Sequence, residues 1–185
     1  MGRYSVQVIT RESLASLVER AGAADADAWE ALYRRAYPGL LAYAGRRLGS
    51  ERGRDAVAET MVRAVARIHT FRPQGAGFDA WLYGILRHVV LDLQRADYRE
   101  RRRRVPSPAS DATPLDHVLD GEEAEAVRFA FAQLSEADQE ILELRVVAGL
   151  SAEDVGAVLG KKPGAVRTAQ SRALAALRRA MEQGR

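Results

Sequence analysis

Between Val155 and Met181 the chain carries Lys161, Lys162, Arg167, Arg172, Arg178 and Arg179 and not one acidic residue. Cations without local carboxylates are suited to a polyanion, and arginine and glutamine on one helix can read guanine and adenine edges. Arg99 and Arg101–Arg104 form a second basic block. Solvated helix faces in a chain whose only lysines are Lys161 and Lys162 would explain the abundance of arginine, but not a long acid-free segment. Covalent chemistry finds little support. There is no cysteine, and His69, His88 and His117 are too dispersed for a metal-ligand pair. No paired-carboxylate, Ser/His/Asp or Walker pattern occurs, and Gly160 with Lys161 and Lys162 lacks the spacing of a phosphate-binding loop. We therefore expect no catalytic residue, no metal and no cofactor.

These cations must be positioned by helices. Apolar spacing of three and four residues dominates, and strand-like alternation is confined to Val6–Thr10, so the fold class expected is all-α. Asp27 can cap a helix running toward Leu48 that buries Leu32, Tyr33, Leu40, Leu41 and Ala44, kinked or divided at Pro38 and stopped by Gly49. Val57, Met61, Val65 and Ile68 stripe a second helix from about Gly53 to His69, with Asp55, Glu59, Arg63 and Arg67 outward. Residues 70–78, with Pro73, Gly75 and Gly77, read as a loop. Asp79 can cap a third helix to about Arg99, buried through Trp81, Leu82, Ile85, Leu86, Val89 and Leu93.

Residues 105–121 are rich in proline, serine and aspartate and read as a flexible linker, which fully extended would reach roughly 55 to 60 Å. The organisation expected is thus two small helical domains: an extension over 1–24, a first domain over 25–104, the linker over 105–121 and a second domain over 122–185. In the second, Ser135 caps a helix from Glu136 to Ala148, and Ser151 caps a short one over Ala152–Leu159 closed by Gly160. Pro163 then opens a final helix to about Met181. This is a helix-turn-helix pattern. Val155, Val158, Leu159, Val166 and Leu174 would bury the hairpin, Arg167, Thr168, Gln170, Ser171 and Arg172 would face a major groove, and Lys161 and Lys162 would meet phosphates. A plain packed helical hairpin fits the same spacing.

The spacing of LELR, GLS, LG and GAVR, with RDAVAETMVRAVARI and FDAWLYGILRHVVLDLQR upstream, resembles the extracytoplasmic-function (ECF) sigma factors of bacterial RNA polymerase over nearly the whole chain. The resemblance implies a transcription initiation factor that is not itself an enzyme. It would bind core RNA polymerase, place the second domain on the minus-35 element of promoter DNA, and use the first to recognise and help open the minus-10 region. It implies that Asp55 and Glu59, with Arg63 beside them, meet the polymerase clamp, although the same charge spacing also describes a solvated face. Ala58 departs from a frequent glutamine.

For the minus-10 element the resemblance implies Phe71, Arg72 and Gln74 in the loop, then Trp81, Arg87, His88 and Arg95 on the third helix. His88 replaces the usual asparagine. Trp81, Phe71 and Phe78 fit a core role as well, and Asp92 fits a structural pair with Arg95. Ala169 and Gln170 stand where arginine and leucine are common, and Ser135 replaces a frequent proline. Asp111, Asp116 and Asp120 suit either a linker threading a basic channel or plain solubility. An anti-sigma factor is an implied partner. No apolar stretch approaches the length of a membrane helix, so no membrane insertion is expected and the cytoplasm is the expected compartment. Two alternatives remain at this point: a self-sufficient dimeric helix-turn-helix regulator, and a nucleic-acid-processing enzyme.

Overall fold

The computed structural model describes residues 13–72, 75–101 and 122–183, and every regular element among them is helical. Linker residues 105–121, the strand-like Val6–Thr10 and Gln74 lie outside the described residues.

Helix α1 (Leu14–Gly22) was not foreseen. Ser13 caps it, its Oγ accepting from the Ser16 amide at 3.2 Å, and Val18 and Ala21 are buried. The Trp29 indole N–H donates to the Ala21 carbonyl at 3.1 Å, tying α1 to α2 (Ala26–Leu48). Asp25, not Asp27, caps α2: its Oδ1 accepts from the amides of Asp27 and Ala28. Those bonds, the Ala28 amide foremost, and the Arg20 guanidinium hold its carboxyl below the usual range. Pro38 does not divide α2. A proline removes one amide donor, and tertiary packing of Leu32, Leu40 and Ala44 on both sides of it keeps the helix continuous. Tyr33 remains exposed, resting against Tyr37.

Gly49, at φ 80, separates α2 from α3 (Ser50–Arg67). The two cross at Gly45 and Gly53, where a Cβ on Gly53 would lie 2.7 Å from the Gly45 Cα. The buried face of α3 is therefore its small face, Gly53, Ala56, Val57, Thr60 and Ala64. The expected stripe is corrected accordingly: Val65 is exposed, Met61 and Ile68 are half-buried, and only Val57 is enclosed. Apolar periodicity picked the wrong side because close backbone approach selects small residues over large ones.

A single 3-10 turn (Ile68–Thr70) leads to the loop and then to α4 (Phe78–Arg101), which begins one residue before Asp79. Asp79 lies in its first turn and pairs with Arg35 of α2 at 2.5 and 2.8 Å. Leu82, Ile85, Leu86, Val89 and Val90 are buried, with Trp81 and Leu93 half-buried.

The second half contains α5 (Glu122–Ala132), α6 (Glu136–Leu142), a π-helical turn (Glu143–Val147), α7 (Ala152–Leu159) and α8 (Pro163–Gln183). Ser135 caps α6 as expected, accepting from the Asp138 amide, but the helix widens at Glu143 instead of continuing regularly to Ala148. Ile141, Leu144, Leu150, Val155 and Val166 form the core of this half. Leu174, expected to be buried, is exposed, and its neighbour Ala173 is buried instead. The buried side chains of both halves join in one hydrophobic cluster, with α7 packed against α4.

Candidate nucleic-acid interface

The turn between α7 and α8 depends on two glycines. Gly160 adopts a left-handed conformation (φ 64), and a Cβ on Gly156 would sit 2.6 Å from the Lys161 carbonyl oxygen. Ser151 locks the start of α7, its Oγ accepting from the Asp154 amide at 3.0 Å and donating to the Asp154 carboxylate at 2.7 Å. With Val155 and Val166 fully buried, α8 exposes Arg167, Thr168, Ser171 and Arg172, and Lys161 and Lys162 project from the turn.

These candidates are not equivalent. Arg167 reaches Glu153 at 2.7 Å and Arg172 reaches Asp138 at 2.9 Å, each with its guanidinium still well exposed. The Asp138 carboxyl is held below the usual range, first by Arg172 and also by the Ser135 hydroxyl. Gln170 is half-buried, its amide oxygen accepting from Arg145 Nε at 2.8 Å, while another Arg145 nitrogen donates to the Leu150 carbonyl. Arg145 thereby satisfies a polar residue at an otherwise apolar position. The Thr168 hydroxyl donates to the Gly164 carbonyl at 3.1 Å.

In the first half, Phe71, Phe78 and Trp81 form a three-ring cluster with centroids 5.6 to 5.8 Å apart. Phe78 is its buried base, whereas Phe71 and Trp81 border a cavity of about 480 Å³ that Arg67, Arg72 and His88 also line. Arg72 is posed by bonds to the carbonyls of His69 (2.8 Å) and Phe71 (3.0 Å). His88 Nδ1 lies 2.7 Å from the Gly84 carbonyl. A carbonyl only accepts, so Nδ1 carries the proton, and Nε2 is the ring nitrogen left for another partner. Arg95 is exposed and pairs with Asp92 at 3.5 Å, as expected. Arg87 points away from this cavity to Glu140 on α6, at 3.2 Å.

On α3, Asp55 and Glu59 share an exposed face one turn apart, and Arg63 pairs with Glu59 at 2.7 Å. Val62 and Val65 are exposed beside them, 65% and 51%, so the face is acidic and apolar together. Sequence reasoning had turned Val65 inward. It also missed the charged contact between the halves, where Arg46 and Arg47 meet Glu143; residues almost a hundred positions apart leave no spacing signal.

Comparison with known proteins agrees with this geometry. The family models for Sigma-70 region 2 and Sigma-70 region 4 match residues 32–104 and 124–177. The chain is 36% identical over 183 residues to the ECF RNA polymerase sigma factor ShbA of Streptomyces griseus, covering 92% of this chain and 96% of that one. It is 34% identical to the ECF RNA polymerase sigma factor SigD of Mycobacterium tuberculosis, covering 90% and 83%. The fold resembles that of the sigma factor RpoE solved with the anti-sigma factor NepR from Bartonella quintana (TM-score 0.65, 24% identity, 84% of this chain and 98% of that one). It also resembles CnrH solved with the cytosolic domain of CnrY (TM-score 0.63, 25% identity, 91% and 96%). Helical lobes matching both sigma regions in order, and relatives aligned over nearly their full length, leave one assignment: the chain belongs to the ECF sigma factors, which direct RNA polymerase to specific promoters and are not themselves enzymes.

Proposed function

We propose that the cavity bordered by Phe71, Trp81, Arg72 and His88 receives unpaired bases of the minus-10 element, and that α8 reads the minus-35 duplex. The cavity carries this reading, because aromatic faces, a posed guanidinium and a hydrogen-bonding ring around one opening are what a flipped base requires. Arg95 extends the surface along α4. Opening is driven by differential binding: a protein that holds separated bases more tightly than paired ones shifts the duplex toward the open state. On α8, Arg167, Ser171 and Arg172 take the base edges and nearby phosphates, Thr168 and Gln170 support them, and Lys161 and Lys162 hold the backbone.

Asp55, Glu59 and the neighbouring Val62 and Val65 make the surface for core polymerase, with charge giving orientation and the valines apolar area. An anti-sigma factor is the natural regulator, since the sigma factor RpoE was solved with one. The protein acts in the cytoplasm, alongside the polymerase. Residues 25–104 and 122–185 are the two working domains and 105–121 their tether.

Run-off transcription with a bacterial core polymerase and a promoter pool, followed by sequencing of transcript ends, tests the reading. Initiation at sites sharing two spaced elements is expected; absence of any defined start overturns it. Asp55→Ala with Glu59→Ala should weaken core association without lowering helicity, and unchanged association removes those contacts.

A further inference from the structure

Gln170 lies where α8 turns from its buried side to its exposed one. It stands one turn beyond Val166 and three residues after Arg167; Val166 and Ala173 are fully buried, whereas Arg167 and Ser171 are exposed. Its amide oxygen accepts from Arg145 Nε at 2.8 Å. Arginine carries no acceptor, so the amide can only turn its oxygen to this neighbour, and Nε2 faces the other way. Among the described residues Nε2 has no partner, and no partnerless side-chain nitrogen or oxygen of a half-buried residue is sealed from solvent. Gln170 therefore presents its N–H donors to solvent while its oxygen is held inward.

Arg145 is itself held in place. It sits in the π-helical turn Glu143–Val147, which closes with the Ala148 amide on the Glu143 carbonyl at 2.8 Å. Another of its nitrogens donates to the Leu150 carbonyl, and the Leu150 amide donates to the Leu144 carbonyl at 3.0 Å. Leu144 and Leu150 are both buried. The planar guanidinium thus spans from an anchored loop to the middle of α8, and it resists rotation of the amide it holds.

That orientation decides what Gln170 can bind. Glutamine reads adenine with its oxygen and nitrogen together, and here the oxygen is taken. Phosphate oxygens only accept, so donors suit them, whereas an amide turned the other way would set oxygen against oxygen. Position favours the same partner, because the flank of a helix lying in a groove meets the sugar-phosphate wall before it meets base edges. We propose that Gln170 Nε2 donates to a backbone phosphate of the duplex held by α8, and that Arg145 is the positioning residue that turns the amide toward it. The inference rests on the reading of α8 as the minus-35 helix, and it gives Gln170 a backbone role in place of a base-reading one.

Holoenzyme formed with a bacterial core polymerase first selects promoter duplexes from a pool of mixed sequence. Each phosphate around the upstream element of a selected duplex is then replaced in turn by an uncharged methylphosphonate, and affinities are compared across variants. Gln170→Leu puts an apolar side chain at a half-buried position, so helicity should be kept. It should bind every selected duplex about tenfold more weakly, the worth of one hydrogen bond to a charged group. Its salt slope should match wild type, since a neutral donor releases no counterion. One methylphosphonate should weaken wild type and leave Gln170→Leu unaffected. Gln170→Glu does not depend on how the leucine variant folds: it keeps the bond to Arg145 and turns a second oxygen outward, so at that one position methylphosphonate should strengthen binding. Arg145→Met should erase the same signature with Gln170 intact, and should cost less in the Gln170→Leu background than in wild type. A pair that only steadies the fold would couple in urea midpoints and leave the methylphosphonate scan unchanged. Scans of wild type and both Gln170 variants that coincide overturn the proposal, and an Arg145→Met scan like that of wild type removes Arg145 from it. If no upstream element is selected, the minus-35 reading of α8 falls, and this contact with it.

Discussion

His88 holds the Gly84 carbonyl with one ring nitrogen and has a single ring nitrogen left for a base, whereas asparagine at that place would offer donor and acceptor together. His88→Asn should therefore change which base is preferred in the minus-10 element while leaving the minus-35 preference intact, as read by promoter-library sequencing; an unaltered minus-10 profile would place His88 outside the reading. On α8, chemistry separates two kinds of loss. Arg172→Ala should cost about 1–3 kcal/mol and relax preference at one base pair, whereas Lys161→Ala should weaken all duplexes alike and lower the salt slope by about one. Asp138 adds a pH signature. Its carboxyl is depressed by Arg172 and Ser135, so its contribution to stability is complete above the ordinary carboxylate value of 3.8 and is lost as pH falls through the lower folded-state value. Asp138→Asn should therefore be less stable than wild type near neutrality, and the gap should narrow in acid, measured as urea midpoints across pH. Exposure at this scale was legible in part. Arg167 and Arg172 stand on the exposed side of α8 as their spacing implied, but Gln170 was read as groove-facing because nothing in the sequence shows that Arg145, twenty-five positions earlier, would take its oxygen.

Among the elements, caps and breaks were well signalled and faces less so. Ser135, Ser151, Gly49, Gly160 and Pro163 each act through a local rule, and each marks a boundary where the structure has one. The face of α3 does not follow a local rule. Its orientation is set by the approach of Gly53 to Gly45, which buries alanines and leaves Val62 and Val65 outside. That crossing makes a sharp prediction. Gly→Ala inside a helix ordinarily gains about 1 kcal/mol, yet at Gly53 the added methyl meets Gly45 backbone atoms at 2.7 and 2.8 Å. Neither helix can yield a side chain there, so Gly53→Ala should lower stability by about 1–3 kcal/mol, the usual cost of overpacking, and shift the clamp-facing surface with it. Chemical denaturation reads the first effect and core-binding titration the second; a stabilised variant would mean that α2 and α3 separate easily. Gly156→Ala should likewise disturb the turn into α8 and weaken duplex binding, since its methyl would strike the Lys161 carbonyl.

At the scale of the whole molecule, the two-part organisation was visible in the acid-free segment and the proline-rich stretch, but the way the halves meet was not. Sequence reasoning treated them as bodies on a long tether. The structure joins their cores into one cluster and sets Arg46, Arg47 and Arg87 against Glu140 and Glu143. Contacts of such separation are specified by three-dimensional shape, not by any periodicity of the chain. They should nevertheless govern how the protein unfolds. Both tryptophans, Trp29 and Trp81, lie in the first lobe, so their fluorescence follows that lobe while far-ultraviolet dichroism follows all helices. If closure couples the lobes, the two signals should change together on urea titration of the wild type, as one cooperative unit requires. Removing one side of a buried ion pair costs about 3–5 kcal/mol because the partner charge is left without compensation. Glu140→Gln with Glu143→Gln should therefore pull the curves apart, with one lobe melting before the other. High salt should act in the same direction but more weakly, because buried pairs are screened less than exposed ones. Wild-type curves that already diverge at low salt would show that the lobes fold independently and that their charged seam adds nothing to cooperativity.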